Sequence, residues 1–154
     1  DITYVNVTRG FVYLACVLDA FSRRCVGWAV SAFIDTDLAL AALEMALLDR
    51  TPPSGLIHHS DQGVQYASAR YIETLLAWEA VPSMSAKGNP YENAMAESFI
   101  RIVKAEEVDL KERYDDVEHA RREIGYFIKE VYNLKRLHSS LQYRPPIEFE
   151  ELHF

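Results

Sequence analysis

The sequence lacks the features of a membrane-spanning protein and of a zinc-binding protein. No apolar run approaches the ~20 residues of a membrane-spanning helix, because Glu44 interrupts the longest apolar stretch, residues 38–48. Only two cysteines occur, Cys16 and Cys25, and no Cys/His spacing resembles a zinc site. We therefore expect no membrane partner, and we interpret both cysteines as reduced, buried small side chains.

Positive charge is also scarce. The chain has 16 Lys and Arg residues against 23 Asp and Glu residues, a net charge of -7. Proteins that bind nucleic acid through its phosphates normally carry a basic surface. The charge alone therefore argues against a nucleic-acid partner, and any such prediction needs stronger support from the sequence.

The length of 154 residues fits one domain, and no internal repeat or low-complexity tract divides the chain. We expect one domain over residues 1–154, in which residues 132–154 form a C-terminal extension. The chain starts with Asp1 rather than Met, already in strand-like sequence. We interpret it as a domain of a longer protein.

Hydrophobic patterns predict an α/β domain. Three strand-like segments are joined by short turns, which make neighbouring strands antiparallel. Helices and two further strands then alternate, and the helical crossovers make those later strands run parallel to a neighbour. The predicted strands are 2–7, 11–18, 25–30, 56–59 and 80–84; the predicted helices begin at Asp35 or Thr36, cover about 67–78 and 91–108, and begin again at Asp115 or Asp116. This order is that of a ribonuclease H-like fold.

Three acidic residues occupy positions suited to chemistry. Asp1 opens the first strand, and Asp61 follows the fourth strand at its carboxyl end, where open α/β sheets usually bind ligands. Glu97 lies on a polar stripe of the long helix, opposite an apolar face that we expect to be buried. That stripe contains Asn93, Glu97, Arg101 and Lys104. The alternative for any single acid is a solvated surface charge, and Asp19, in the second turn, is either a turn former or a substitute for the first carboxylate.

Carboxylates gathered in this way would suit phosphodiester chemistry. Hydrolysis and strand transfer use two divalent ions about 4 Å apart, which activate the attacking oxygen and stabilise the leaving oxygen. Mg²⁺ prefers oxygen ligands and retains waters, so a few carboxylates and a DNA phosphate suffice to hold it.

Several segments carry more specific motifs. They are Asp1 to Tyr4, Val17 to Arg24 with Val26 to Trp28, His59 to Tyr66, Asn93 to Phe99, and Tyr132 to Leu141 with Pro146 to Phe149. In this order they resemble the motifs of the insertion-sequence transposases whose catalytic domain is similar to that of retroviral integrases. Asp61 and Glu97 are separated by 35 residues, 62–96. The acidic triad of these transposases takes its name from this spacing. The tryptophan that usually precedes the first aspartate and the helix-turn-helix region of such proteins are absent from this chain.

The resemblance implies a ribonuclease H-like fold with a five-stranded mixed sheet, three antiparallel strands followed by two parallel ones, flanked by helices. It implies that Asp1, Asp61 and Glu97 are catalytic residues that together hold two Mg²⁺ or Mn²⁺ ions, with Asp1 and Asp61 on adjacent parallel strands. The implied activity is metal-dependent cleavage of DNA 3′ ends and strand transfer in transposition. The implied partners are transposon ends, target DNA and further copies of the chain in a synaptic complex, and the implied location is the bacterial cytoplasm at the nucleoid.

Six residues are candidates for contacts with DNA: Lys87, Asn93, Arg101, Lys104, Arg136 and His138. Lys87 belongs to a breaker-rich loop, residues 87–90, that could open and close on DNA or be a plain turn. Arg101 and Lys104 could contact phosphate or pair with acids on the helix surface. For Arg136 and His138, functional and structural-cap roles remain equally open.

Two other hypotheses remain. The same fold and metals could serve a nuclease that only hydrolyses, although the C-terminal signature after residue 132 favours the transposase. The chain could also be an inactive DNA-binding remnant of a transposase, but the intact acids argue against decay.

Overall fold

In the computed structural model, residues 1–87 and 89–154 are described. The first three strands form an antiparallel meander, β1 (Ile2–Val7), β2 (Gly10–Leu18) and β3 (Cys25–Ser31), in spatial order β1-β2-β3. Gly10 accommodates the tight β1–β2 turn because its φ of 103° is accessible to glycine without steric cost. The three predicted strands are confirmed to within a residue at each end.

Helix α1 (Thr36–Arg50) covers one face of this meander. Asp35 begins the helix, because its carboxylate accepts a hydrogen bond from the backbone N–H of Leu38 at 2.9 Å. The helix approaches β3 so closely that a Cβ at Gly27 would collide with the carbonyl oxygen of Ala42. Glycine at position 27 therefore sets the distance between helix and sheet.

The next two strands form a parallel pair. Strands β4 (Ile57–Ser60) and β5 (Val81–Met84) are hydrogen-bonded in register, and α2 (Ala69–Ala77) makes the crossover between them. The hydroxyl of Ser68 caps α2 through the backbone N–H of Tyr71 at 3.3 Å. The prediction of three antiparallel strands followed by two parallel strands is confirmed.

The five strands do not form one continuous sheet. Within the described residues, β1 and β4 are not hydrogen-bonded to each other, so the strands divide into a three-stranded and a two-stranded sheet. Asp1 and Asp61 were predicted on adjacent parallel strands, but β1 and β4 belong to different hydrogen-bonded sheets, so that pairing is not formed. The last backbone hydrogen bonds between the β1 and β2 segments join Asp1 to Cys16. Beyond them, a cleft lies between the last residues of β2 and strand β4.

The long helix predicted over residues 91–108 is composite. A 3₁₀ turn (Pro90–Asn93) leads into α3 (Ala94–Val103), which continues as a π-helical turn (Lys104–Val108). Asp116 caps α4 (Val117–Tyr126), which continues as a second π-helical turn (Phe127–Tyr132), and the chain finishes with α5 (Pro146–His153). Gly88, in the predicted loop before α3, lies outside the described residues.

Two hydrophobic layers hold the elements together. Val5 and Leu14 of the meander pack against Phe99, Ile124 and other residues of the later helices. On the opposite face, α1 and α2 bury Leu43, Leu47, Tyr71 and Leu75. No helix in residues 1–87 and 89–154 is long and apolar enough to cross a bilayer.

Both cysteines lie in the first of these layers as buried thiols, as predicted. Burial raises the pKa of Cys16 and, more strongly, that of Cys25, so both thiols stay protonated at neutral pH.

Candidate active site

Asp61 lies immediately beyond the carboxyl end of β4. The hydroxyl of Ser60 donates to the carbonyl oxygen of Asp61 at 2.9 Å, and the carboxylate of Asp61 accepts from the backbone N–H of Gly63 at 2.8 Å. These local bonds fix the half-buried carboxylate at the strand end. The short sequence Ser60-Asp61-Gln62-Gly63 thus forms its own turn.

The ends of β4 and β5 are fastened to each other beside this carboxylate. The two ring nitrogens of His59 contact the hydroxyls of Ser83 and Ser85 at 2.9 and 3.0 Å. The side-chain amide of Gln62 donates to the carbonyl oxygen of Ser85 at 3.0 Å. His59 therefore makes structural hydrogen bonds from β4 to β5 and to the residue after it, while Gln62 joins the loop after β4 to the loop after β5.

Glu97 reaches the same region from α3. The helix buries Phe99 and Val103 and leaves Glu97 half-buried on its other side. Asp61 and Glu97 line one cavity of about 380 Å³. The residues around this cavity are Asp61, Gln62, Gly63, Ser85, Ala86, Lys87, Asn89, Asn93 and Glu97. Two of the three predicted acids are therefore brought together.

Asp1 lies beside this cavity rather than in it. Its α-amino group donates to the carbonyl oxygen of Cys16 at 3.1 Å, and its carboxylate accepts from the backbone N–H of Ile2 at 2.9 Å. Asp1 lines a larger neighbouring cleft of about 920 Å³, and Asn93 borders both spaces. Across the described part of the chain, no three His, Cys, Asp or Glu side chains form a group that could hold a metal ion. Asp1 therefore lines the adjoining cleft, while Asp61 and Glu97 line the smaller cavity.

The donor set of the smaller cavity suits a hard divalent cation. Asp61 and Glu97 supply two carboxylates, and Mg²⁺ is commonly held by one or two carboxylates while it retains several waters. Lys87 also lines this cavity, so a basic residue lies beside the two acids. The residues present therefore fit a divalent ion.

Asp19 makes the contacts of a turn former. Its carboxylate accepts from the backbone N–H groups of Phe21 and Ser22 at 2.8 and 3.1 Å, and it lies 3.4 Å from the guanidinium of Arg50. These bonds hold the β2–β3 turn.

The candidates for DNA contacts on α3 have different surroundings. Arg101 is exposed, whereas Lys104 places its ammonium 4.7 Å from the centre of the Tyr4 ring, a cation–π contact. Asn93 is buried, with 8% of its surface exposed, so only the part of its side chain that borders the cavity can meet a ligand.

Arg136 and His138 both make contacts within the protein. The guanidinium of Arg136 pairs with Glu106 at 2.8 Å. His138 is buried against the ring of Tyr132, and burial together with the nearby Arg136 lowers the pKa of His138 to about 4. Its imidazole is therefore neutral at pH 7, and its contacts are those of a structural residue.

Glu92 has a role that the sequence reasoning missed. Its carboxylate accepts from the backbone N–H of Ala86 at 2.6 Å and from the side-chain amide of Asn89 at 3.1 Å. These bonds close the loop that carries Lys87. The sequence contains a pattern that could have predicted this role. Glu92 follows Asn89 by three residues, which is the spacing of a capping box.

Comparison with known proteins decides the family. Two sequence profiles, both described as Integrase core domain, match residues 1–90 and 80–146. The chain belongs to the integrase core domain family.

Two curated relatives of this integrase-core chain are insertion-sequence proteins. The chain is 42% identical over 151 residues to the transposase for insertion sequence element IS904 of Lactococcus lactis subsp. lactis (strain IL1403), with 98% of this chain and 59% of the relative covered. It is 38% identical over 154 residues to the transposase for insertion sequence element IS629 of Shigella sonnei, with 100% of this chain and 51% of the relative covered. The chain thus spans between half and three-fifths of the length of these two relatives.

A solved structure has the same fold at low sequence identity. The HTLV-2 integrase catalytic core domain, determined in complex with magnesium in a trimeric form, superposes with a TM-score of 0.70 at 14% identity. The match covers 97% of this chain and 91% of that one. It confirms the predicted ribonuclease H-like, integrase-core architecture.

Proposed function

We propose that this chain is the catalytic core of an insertion-sequence transposase, which cleaves DNA 3′ ends and joins them to target DNA. The observation that carries the proposal is the shared cavity of Asp61 and Glu97, which the fold brings together from a strand end and a helix. The names of the two relatives support the transposase over other enzymes that use this fold.

The three acids have different parts in this proposal. Asp61 and Glu97 hold divalent cations, Mg²⁺ or Mn²⁺, and Asp1 completes the set from the adjoining cleft. Two such ions, when bound, activate the attacking oxygen and stabilise the leaving oxygen. Magnesium in the HTLV-2 integrase core is consistent with this choice of metal.

The protein side chains position the DNA. Lys87, on the rim of the cavity, attracts the scissile phosphate, while the amide of Asn93 borders the space beside it. Arg101, exposed on α3, offers a further cation to the DNA. Lys104, Arg136 and His138 shape the surrounding structure through Tyr4, Glu106 and Tyr132.

The two chemical steps need no energy source. In cleavage, a water oxygen attacks phosphorus and the DNA 3′ oxygen leaves as a hydroxyl. In strand transfer, that 3′ hydroxyl attacks a target phosphodiester and the target's own 3′ oxygen leaves. Each step forms one P–O bond and breaks one, so positioning and charge stabilisation do the catalysis.

The acidic charge limits what this chain does by itself. With a net charge of -7, it contributes chemistry rather than tight, sequence-specific binding to DNA. Recognition of the transposon ends would come from regions present in longer relatives, and synapsis from several copies of the chain. We place this activity at the bacterial nucleoid, where the DNA substrate is.

A branched duplex tests the proposal without knowledge of the terminal sequence. Reversal of strand transfer on such a substrate gives one rejoined and one released strand, whereas a nuclease gives only a nick. We expect the rejoined product with Mg²⁺ or Mn²⁺, its loss in Asp61→Asn, and its retention in Glu73→Gln, which removes an exposed acid from α2. Nicking alone would identify a nuclease, and an active Asp61→Asn would remove Asp61 from the mechanism.

A further inference from the structure

The imidazole of His59 bridges two serines on the neighbouring strand and its continuation. His59 lies opposite Ser83 in the parallel register, and Ser85 follows two residues later. Because side chains alternate along a strand, both hydroxyls lie on the face that His59 occupies. The two ring nitrogens contact Ser83 and Ser85 at 2.9 and 3.0 Å. A serine hydroxyl can donate or accept, so the bridge forms whichever ring nitrogen carries the hydrogen.

Three connections from the β4 segment meet at Ser85. Its backbone N–H donates to the carbonyl oxygen of Ser60 at 2.8 Å, and its carbonyl oxygen accepts from the side-chain amide of Gln62 at 3.0 Å. Its hydroxyl contacts His59 at 3.0 Å. These partners lie on both sides of Asp61 along the chain. Ser85 is buried, with 4% of its surface exposed, and it lines the smaller cavity together with the two acids.

We propose that His59 is a positioning residue of the active site, which acts through Ser85 to hold the carboxylate of Asp61 where a divalent ion needs it. This inference rests on the proposed function, in which Asp61 and Glu97 hold the metal. His59 is exposed and is not among the described residues that line the smaller cavity, so its effect on the metal passes through Ser85. Substitution of residues that orient metal ligands typically weakens metal binding or activity about 10- to 100-fold.

Two serine variants form a matched test. Ser85→Ala and Ser83→Ala each remove one contact of His59, but only Ser85 lines the cavity. We expect Ser85→Ala to weaken Mn²⁺ binding about tenfold and Ser83→Ala less than about twofold. Mn²⁺ titration without DNA measures the affinity, and circular dichroism checks the fold. Equal affinities in the two variants would overturn the positioning role.

Two amide substitutions of His59 separate its two contacts. Each amide carries a donor and an acceptor, and the longer glutamine reaches toward the position of Nε2, whereas asparagine reaches that of Nδ1. His59→Gln can therefore keep the contact with Ser85, and His59→Asn only the contact with Ser83. We expect Mn²⁺ affinity within about threefold of the unsubstituted protein in His59→Gln and about tenfold weaker in His59→Asn. Equal affinities, or the reverse order, would overturn the route through Ser85.

Rejoining of the branched duplex separates this inference from the proposed function. In His59→Asn we expect the rate at saturating DNA to fall at least about fivefold with an unaltered KM, because the contacts with DNA stay in place. If the Mn²⁺ affinities follow the expected order but the unsubstituted protein rejoins no strand, the proposed function is wrong and His59 still positions a metal site. If that protein rejoins strands and His59→Asn matches it in affinity and rate, only the role of His59 is wrong. An unsubstituted protein that binds no Mn²⁺ would overturn both.

Discussion

Asp61 and Glu97 line the same cavity, although α2, β5 and a 3₁₀ turn lie between them along the chain. Asp61 is held by the backbone of its own turn, and Glu97 is held by the buried face of α3. Since different elements position the two carboxylates, substitution of one should leave the element that positions the other folded. Each acid can therefore be tested separately.

Glu97→Gln should weaken Mn²⁺ binding by at least about tenfold and abolish rejoining of the branched duplex. The change keeps the size of the side chain and removes one of the two charges in the cavity. Mn²⁺ titration measures the affinity, and circular dichroism checks the fold. Glu73→Gln, a surface change of the same type, should leave both readouts unaltered. Normal affinity in Glu97→Gln would place the metal elsewhere.

Lys87→Ala and Arg101→Ala should each weaken binding to duplex DNA and reduce the slope of log K against log salt by about 0.9, as expected for one lost phosphate contact. The matched control is Arg122→Ala, since Arg122 is also an exposed cation, with 70% of its side chain accessible, but lies on α4. A salt titration with labelled duplex measures all three. An equal loss in Arg122→Ala would show that only overall charge matters.

His58 should make the protein less stable as the pH falls from about 6.5 toward 4. Burial lowers the pKa of His58 to about 4, and its ring nitrogen contacts the hydroxyl of Tyr71 at 2.9 Å. Between these pH values the unfolded state binds more protons than the folded state, so acid favours unfolding, by on the order of 2 kcal/mol at pH 5. His58→Phe should flatten this dependence in denaturant titrations.

His138 has the same direction of shift, so His58→Phe should remove only part of the pH dependence. The matched control is His153→Gln, which removes an imidazole at an exposed position on α5. An unchanged profile in His58→Phe would show that His58 is not buried in its neutral form.

Glu150→Gln should lower the free energy of unfolding by about 2 kcal/mol, because it leaves two partly buried guanidinium groups without their shared anion. The carboxylate of Glu150 accepts hydrogen bonds from Ser22, Arg24 and Arg50, which join α5 to the β2–β3 turn and to α1. Thermal unfolding measures the loss, and Glu148→Gln, an exposed acid on the same helix, should cost less than about 0.5 kcal/mol.

The same residue predicts an acid effect. Burial by itself would raise the pKa of Glu150, but the bonds from Arg50, Ser22 and Arg24 outweigh it and hold the pKa below its ordinary value. Its contribution to stability is therefore complete above about pH 4.5 and is lost as the pH falls through the lowered pKa. Glu150→Gln should remove this part of the acid dependence, and an unaltered profile would contradict the ion-pair cluster.

The sequence by itself determined the elements and their caps. Runs of apolar, β-branched and aromatic residues between short turns predicted the strands β1 to β3. Asp35 and Asp116 start helices by accepting hydrogen bonds from backbone N–H groups three residues later. The turn at Asp61 likewise closes within three residues. These features depend on neighbours in the chain, so local chemistry is sufficient to specify them.

Only the tertiary structure decided which distant residues meet. It brought Glu97 to Asp61, kept Asp1 in the adjoining cleft, set Lys104 over the ring of Tyr4, and buried His138. Each placement depends on how a helix packs against a strand many residues away. Side-chain type and spacing cannot specify that packing, because residues with the same local pattern can face solvent, a neighbouring ring or the core.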